Sequence, residues 1–130
     1  MLAELPARAD REPVVGAGKG GDDTTAIDAA AERAILPHFA GRRIVSEEVG
    51  ISGDGPITVV VDPIDGSLNA KRGIPFFSIS IAVSDGETMD DVFFGYVHDF
   101  GTGEEWTATR GEGALLNGTP LTERPKDELE

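Results

Sequence analysis

Cysteine is absent from the 130 residues of this chain. That excludes disulfides and thiolate chemistry. Histidine is nearly absent too, with only His38 and His98. So few nitrogen donors and no sulfur argue against a zinc site. A metal held here would sit mainly on oxygen, the chemistry of Mg²⁺, Mn²⁺ or Ca²⁺. No apolar run approaches the ~18 residues that cross a bilayer. Residues 1–11 carry Glu4, Arg8, Asp10 and Arg11 and lack the apolar stretch of a secretory signal. The expected location is therefore cytoplasmic, with no membrane partner. Positive charge is also short. Eleven Lys and Arg face 24 Asp and Glu, for a net charge of −13. Such a surface repels a nucleic-acid backbone, so no nucleic-acid partner is expected.

What is present is the composition of a folded domain, 39% hydrophobic and 27% charged. The length suits a single domain over residues 1–130. Residues 1–18 are weakly patterned and expected to be loose, and glycines around Lys19 predict a flexible loop. Asp23 or Thr24 can cap a helix that follows. Ile27, Ala30, Ala31, Ala34, Ile35 and His38 recur at helical spacing, and Pro37 should kink or end the helix. Arg43 to Ser46 reads as a short strand, 50–55 as a loop, and Ile57 to Val61 as a buried β-branched strand. A turn with a short helix then leads to a strand over Phe77 to Val83. Val92 to Val97 and Trp106 to Thr109 read as two more strands, and Asn117-Gly118 as a turn. One helix followed mostly by strands gives an α+β fold, a mostly antiparallel sheet packed by a helix.

Acidic residues cluster in three places. Asp62-Pro63-Ile64-Asp65-Gly66-Ser67-Leu68-Asn69 follows the β-branched strand. Two carboxylates three residues apart at a strand end can point into one space, where their repulsion invites a divalent cation. The plainer account is a turn whose Asp side chains bond backbone amides. Ser46-Glu47-Glu48 also ends an apolar strand, although paired glutamates are common on surfaces. Asp22-Asp23-Thr24-Thr25-Ala26-Ile27-Asp28 opens the helix, where acids serve as caps and favour the helix dipole.

Taken together and in this order, the blocks resemble the inositol monophosphatase and fructose-1,6-bisphosphatase superfamily of Mg²⁺-dependent, lithium-sensitive phosphatases. That family reads Thr-x-x-Asp on a helix, then Glu-Glu, then Asp-Pro-Ile-Asp-Gly-Thr/Ser-x-Asn. The matching positions here are Thr25 with Asp28, Glu47-Glu48, and Asp62 to Asn69. Gly73 to Val83 and Arg110 to Gly118 match two further segments. The details at Asn69-Ala70 and Ile79 to Ile81 look most like the archaeal, dual-specificity members. The resemblance covers about Lys19 to Leu121.

The resemblance implies hydrolysis of a sugar or inositol phosphate monoester, fructose 1,6-bisphosphate or myo-inositol 1-phosphate, by a metal-activated water. It implies two or three Mg²⁺ ions, with Mn²⁺ as a substitute. Glu47, Asp62, Asp65 and the Ile64 carbonyl would be the metal ligands. Asp28 and Ser67 would be catalytic, orienting the water. The Gly66 and Ser67 amides would cradle the phosphate, with Glu48 and Thr25 supporting from behind. Full-length relatives are expected to be homodimers. The family's further metal-ligand Asp, in Trp-Asp-x-Gly, has no counterpart, since Trp106 is followed by Thr107. The expectation is a chain holding the family's N-terminal part without its C-terminal half. That leaves a second reading, a truncated fragment that binds metal without turnover. A haloacid-dehalogenase site is excluded by spacing: it needs Asp-x-Asp, and two residues separate Asp62 from Asp65.

Overall fold

The computed structural model describes residues 8–17 and 23–122. Two short elements come first, the helical turn α1 (Arg8–Arg11) and the strand β1 (Val14–Ala17). Both lie within the stretch 1–18 expected to be loose, and β1 pairs antiparallel with β2 (Asp23–Thr25). The predicted loop around Lys19 lies outside the described residues, as does the polar end expected over 126–130.

Helix α2 (Ala26–Ile35) passes directly into a 3₁₀ turn (Leu36–Phe39). Pro37 marks that change, since it lacks the N–H a continuing α-helix needs. The N-cap is Thr25, not Asp23 or Thr24, which lie in β2. Asp28 at the third helical position reaches back to the Thr25 amide, 3.0 Å away, in a capping-box arrangement. The pairing with β1 explains the shift: it holds residues 23 and 24 extended, so the first residue free to turn is Thr25.

Eight strands then form one sheet in the order β10-β9-β8-β7-β6-β5-β3-β4. They are β3 (Arg43–Ser46), β4 (Gly50–Ser52), β5 (Thr58–Asp65), β6 (Ser78–Ser84), β7 (Val92–Asp99), β8 (Glu105–Thr109), β9 (Gly113–Leu116) and β10 (Thr119–Pro120). The six-residue helix α3 (Ser67–Arg72) sits between β5 and β6. Every neighbouring pair is antiparallel except β3 with β5. Strand β4 occupies the predicted 50–55 loop. It is an edge strand with Ile51 exposed, so no buried face marks it in the sequence.

α2 packs its Ile27 and Ala31 against Ile64 and Ala70, with Phe77 and Phe100 closing the cluster. This small core lies beneath the end of β5, and four chain segments around that end are anchored in it. Val59 and Val61 are buried, while Val60 between them is 44% exposed on the other face. The central strand β6 is only half-buried along its length, apart from Ser84. The described residues therefore close neither face at the sheet's centre. No described helix is long and apolar enough to cross a membrane.

Candidate metal and phosphate site

Two backbone features bring the acids of distant segments together. The first is the parallel pairing of β3 with β5, in which Ser46 lies beside Val61. The next residues, Glu47 and Asp62, therefore leave neighbouring strands at the same level. The second is a β-bulge in β5. Asp62 pairs with Ser80 and Asp65 with Ser78, so three steps on β5 match two on β6. In a regular strand, residues three apart face opposite ways. The extra residue sets Asp62 and Asp65 opposite Ser80 and Ser78, two residues that share one face of β6. Pro63 sits in that bulge, where its missing N–H breaks no ladder bond.

Helix α2 supplies the third acid. Asp28 is 5% exposed, with Oδ2 accepting from the Thr25 amide and hydroxyl and Oδ1 lying 2.9 Å from the Ser67 hydroxyl. The same hydroxyl is 3.0 Å from the Ile64 carbonyl oxygen. Ser67 has one proton to give, so one of these oxygens receives it at a time. Ser67 follows Gly66, whose left-handed φ of 93° turns the chain from β5 into α3. The capping reading of Asp28 is thus realised through Oδ2, while Oδ1 faces Ser67.

Asp28, Glu47, Glu48, Asp62, Ile64 and Ser67 line a narrow cavity of about 20 Å³. That is room for a single water or an ion of similar size. Asp65 does not line it, and opens instead on a neighbouring, larger cavity of about 350 Å³ with Gly66 and Asn69. Of the predicted ligands, Glu47, Asp62 and Ile64 share one space, and Asp65 borders it from the far side of the turn. Thr25 stands behind Asp28 and Glu48 beside Glu47.

Burial raises the Asp62 carboxyl above its ordinary value, and the negative charges of Asp65, Glu47 and Asp28 push the same way. A hydrogen bond from the Ile64 amide to Asp62 Oδ1, 3.1 Å long, opposes the rise. Four carboxylates from three segments therefore bear on one point. Among the described residues, however, no three His, Asp or Glu side chains stand close enough to hold a metal ion as they are. The acids meet at a range where their charges act on one another, short of shared ligation. The donor chemistry fits a hard dication: carboxylates, one strand-end carbonyl and a cavity of single-ion size.

One carboxylate escaped the sequence reading. Glu32, one helical turn beyond Asp28, approaches Ser46 at 3.5 Å. Its pKa is raised by burial first, then by the charge of Glu48, with Asp28 adding less. The signal was its i+4 spacing from Asp28, which puts both acids on one helix face.

The element order, the mixed eight-stranded sheet and the acids at the ends of β3 and β5 define an inositol monophosphatase-type fold. The chain belongs to the inositol monophosphatase family, which it matches over residues 4–130. It is 41% identical to a fructose-1,6-bisphosphatase/inositol-1-monophosphatase of Archaeoglobus fulgidus over 130 residues, covering 98% of this chain and 51% of that protein. A solved inositol monophosphatase–fructose 1,6-bisphosphatase superimposes with a TM-score of 0.80 at 35% identity, over 92% of this chain and 48% of the other. The IMPase of Thermotoga maritima superimposes with a TM-score of 0.71 at 34% identity, over 90% and 46%. The chain thus spans about half the length of these relatives.

Proposed function

We propose that this chain carries the metal- and phosphate-binding part of a Mg²⁺-dependent phosphate monoesterase acting on fructose 1,6-bisphosphate or myo-inositol 1-phosphate. The observation that carries the reading is the meeting of Asp28, Glu47, Asp62, the Ile64 carbonyl and Ser67 around one ion-sized cavity. A structural capping role for Asp28 would need neither Glu47 nor Asp62 nearby.

Glu47, Asp62 and the Ile64 carbonyl would hold one Mg²⁺, and Asp62 with Asp65 a second. When bound, Mg²⁺ or Mn²⁺ offsets the phosphoryl charge and makes a water more acidic near neutral pH. The remaining steps belong to the chain. The Ser67 hydroxyl, with its proton directed at Asp28 Oδ1, presents its oxygen lone pairs as an acceptor for a water proton. Thr25 fixes the other oxygen of Asp28, so the carboxylate cannot turn away from Ser67. The Gly66 and Ser67 amides open the segment after the turn and suit the phosphoryl oxygens. Glu48 and Glu32 add negative charge behind Glu47, which favours cation over anion until the metal is in place.

A Mg²⁺-titrated phosphate-release assay on the full chain tests this reading. Release that rises with Mg²⁺ and stops in excess EDTA supports it. Phosphate binding unchanged by EDTA sinks it. The second reading, metal binding without turnover, is favoured by Asp65 opening on the larger cavity and not on the ion-sized one, which leaves a second ion fewer ligands. It predicts calorimetric Mg²⁺ binding with no phosphate release.

A further inference from the structure

Glu32 does not line the ion-sized cavity, yet it touches the strand that delivers Glu47 to it. It lies one helical turn beyond Asp28, on the same face of α2. Its Oε1 accepts from the Ser46 hydroxyl at 3.5 Å. Ser46 is 5% exposed and is the last residue of β3. Its backbone pairs with Gly50 of β4 on one side and with Val61 of β5 on the other. Residues 47–49 form the turn that follows. The position of the Glu47 carboxylate therefore depends on how Ser46 is held.

The contact joins two elements that each bring an acid to the cavity. Helix α2 carries Asp28, β3 ends just before Glu47, and both acids line the same space. A cavity of about 20 Å³ tolerates little change in the spacing of its walls. The fold by itself gains little from an acid at position 32. Burial and the charges of Glu48 and Asp28 all oppose its ionisation, and the Ser46 hydrogen bond works the other way. Without Glu32, the buried Ser46 hydroxyl loses its partner among the described residues, and the helix loses a tie to the strand end.

We infer that Glu32 is a positioning residue for the metal site: through Ser46 it sets the spacing of Asp28 and Glu47 at which a single divalent cation fits. The inference rests on the phosphatase reading above, and adds to it a residue that acts through the backbone of β3.

The test is calorimetric titration of the full chain with Mg²⁺ alone. Wild type, Glu32→Ala, Glu32→Gln, Ser46→Ala and the double variant Glu32→Ala with Ser46→Ala are compared. Glu32→Ala and Ser46→Ala should each lose about tenfold in Mg²⁺ affinity. The double variant should lose no more than either, because both remove one contact. Glu32→Gln keeps an acceptor oxygen and gives up the charge, so it should retain most of the affinity. Affinity unchanged in both single alanine variants overturns the inference. So do losses that multiply in the double variant, or a Gln variant as weak as the Ala one, which would make the charge and not the bond the cause. No Mg²⁺ binding by the wild type overturns the phosphatase reading itself, an outcome distinct from the others. Ser46→Ala exchanges one small side chain for another, so it guards against a folding defect in Glu32→Ala.

Discussion

The Ser67 hydroxyl stands 2.9 Å from Asp28 Oδ1, joining the first turn of α2 to the first residue of α3. Thirty-nine positions of sequence separate the two. The contact holds because Ile27, next to Asp28, and Ile64, three before Ser67, pack in the same core. Ser67→Ala removes the hydroxyl that would accept a water proton and leaves Asp28 with only its Thr25 bonds. If turnover is measurable, kcat should fall on the order of 10²-fold or more, with a much smaller change in KM. Ser67→Thr, which keeps the hydroxyl, should retain most of the rate. Steady-state kinetics on both variants checks this. Equal rates for Ser67→Ala and wild type would remove Ser67 from the chemistry.

The core under the site offers a stability test. Ile27 is fully buried, and its side chain holds α2 against the end of β5. Ile27→Ala should cost about 2–5 kcal/mol through lost burial and the cavity left behind. A substitution at Val60, 44% exposed on the opposite face, should cost far less. Urea unfolding of the two variants gives the comparison.

Gly66 makes a separate prediction. Its φ of 93° lies where a side chain is strained, and an added Cβ would press on the Phe76 carbonyl and the Phe77 side chain, at 3.1 and 3.2 Å. Gly66→Ala should destabilise the chain by about 1–3 kcal/mol. It should also displace the 66–77 region, visible as amide shifts in NMR spectra confined to that region and to Phe100. Gly41 has a similar φ of 79° with open space around it. Gly41→Ala therefore isolates the backbone strain from the steric clash.

The sequence carried strands β3, β5, β6, β7 and β8, the α+β class and the family, because β-branched runs end at acids and glycines in a distinctive order. It did not carry the bulge at Pro63, which depends on the register between β5 and β6. That register decides how Asp62 and Asp65 stand to each other, so the division of ligands between two cavities was invisible beforehand. The hairpin of β1 and β2 was missed for a similar reason. Its strands are three and four residues long, Val14 and Val15 are exposed, and no alternation betrays it. Glu32 was overlooked because a single acid on a helix reads as a solvated face until Ser46 is placed opposite.

Asp65 borders the site yet is exposed, and its charge reaches Asp62. Asp65→Asn should leave the unfolding midpoint of the metal-free chain unchanged or slightly higher, because one repulsive charge is gone. Its Mg²⁺ affinity should fall by about tenfold or more if Asp65 is a ligand. Calorimetric titration with Mg²⁺ alone reads this without any need for turnover. An unaltered affinity would take Asp65 out of the metal site and leave Glu47, Asp62 and the Ile64 carbonyl to hold a single ion.

Stability should depend on pH in a direction set by Asp62 and Glu32. Both carboxyls are raised in the folded chain, each mainly by burial and further by neighbouring acids. A raised acid binds protons more tightly folded than unfolded, so its contribution favours the fold at low pH and is lost as pH climbs through the raised value. For these two groups, the metal-free chain should gain stability as pH falls from neutral into the carboxylate range. Asp62→Asn should flatten that part of the profile, since an amide cannot titrate. Mg²⁺ should act in the opposite sense, raising the melting midpoint most near neutral pH, where it offsets the repulsion, and least in acid, where protons compete for the same oxygens. Thermal melts of wild type and Asp62→Asn across pH, with Mg²⁺ and with EDTA, measure both effects. A Mg²⁺ stabilisation that persists undiminished in Asp62→Asn would place the ion elsewhere on this acidic surface.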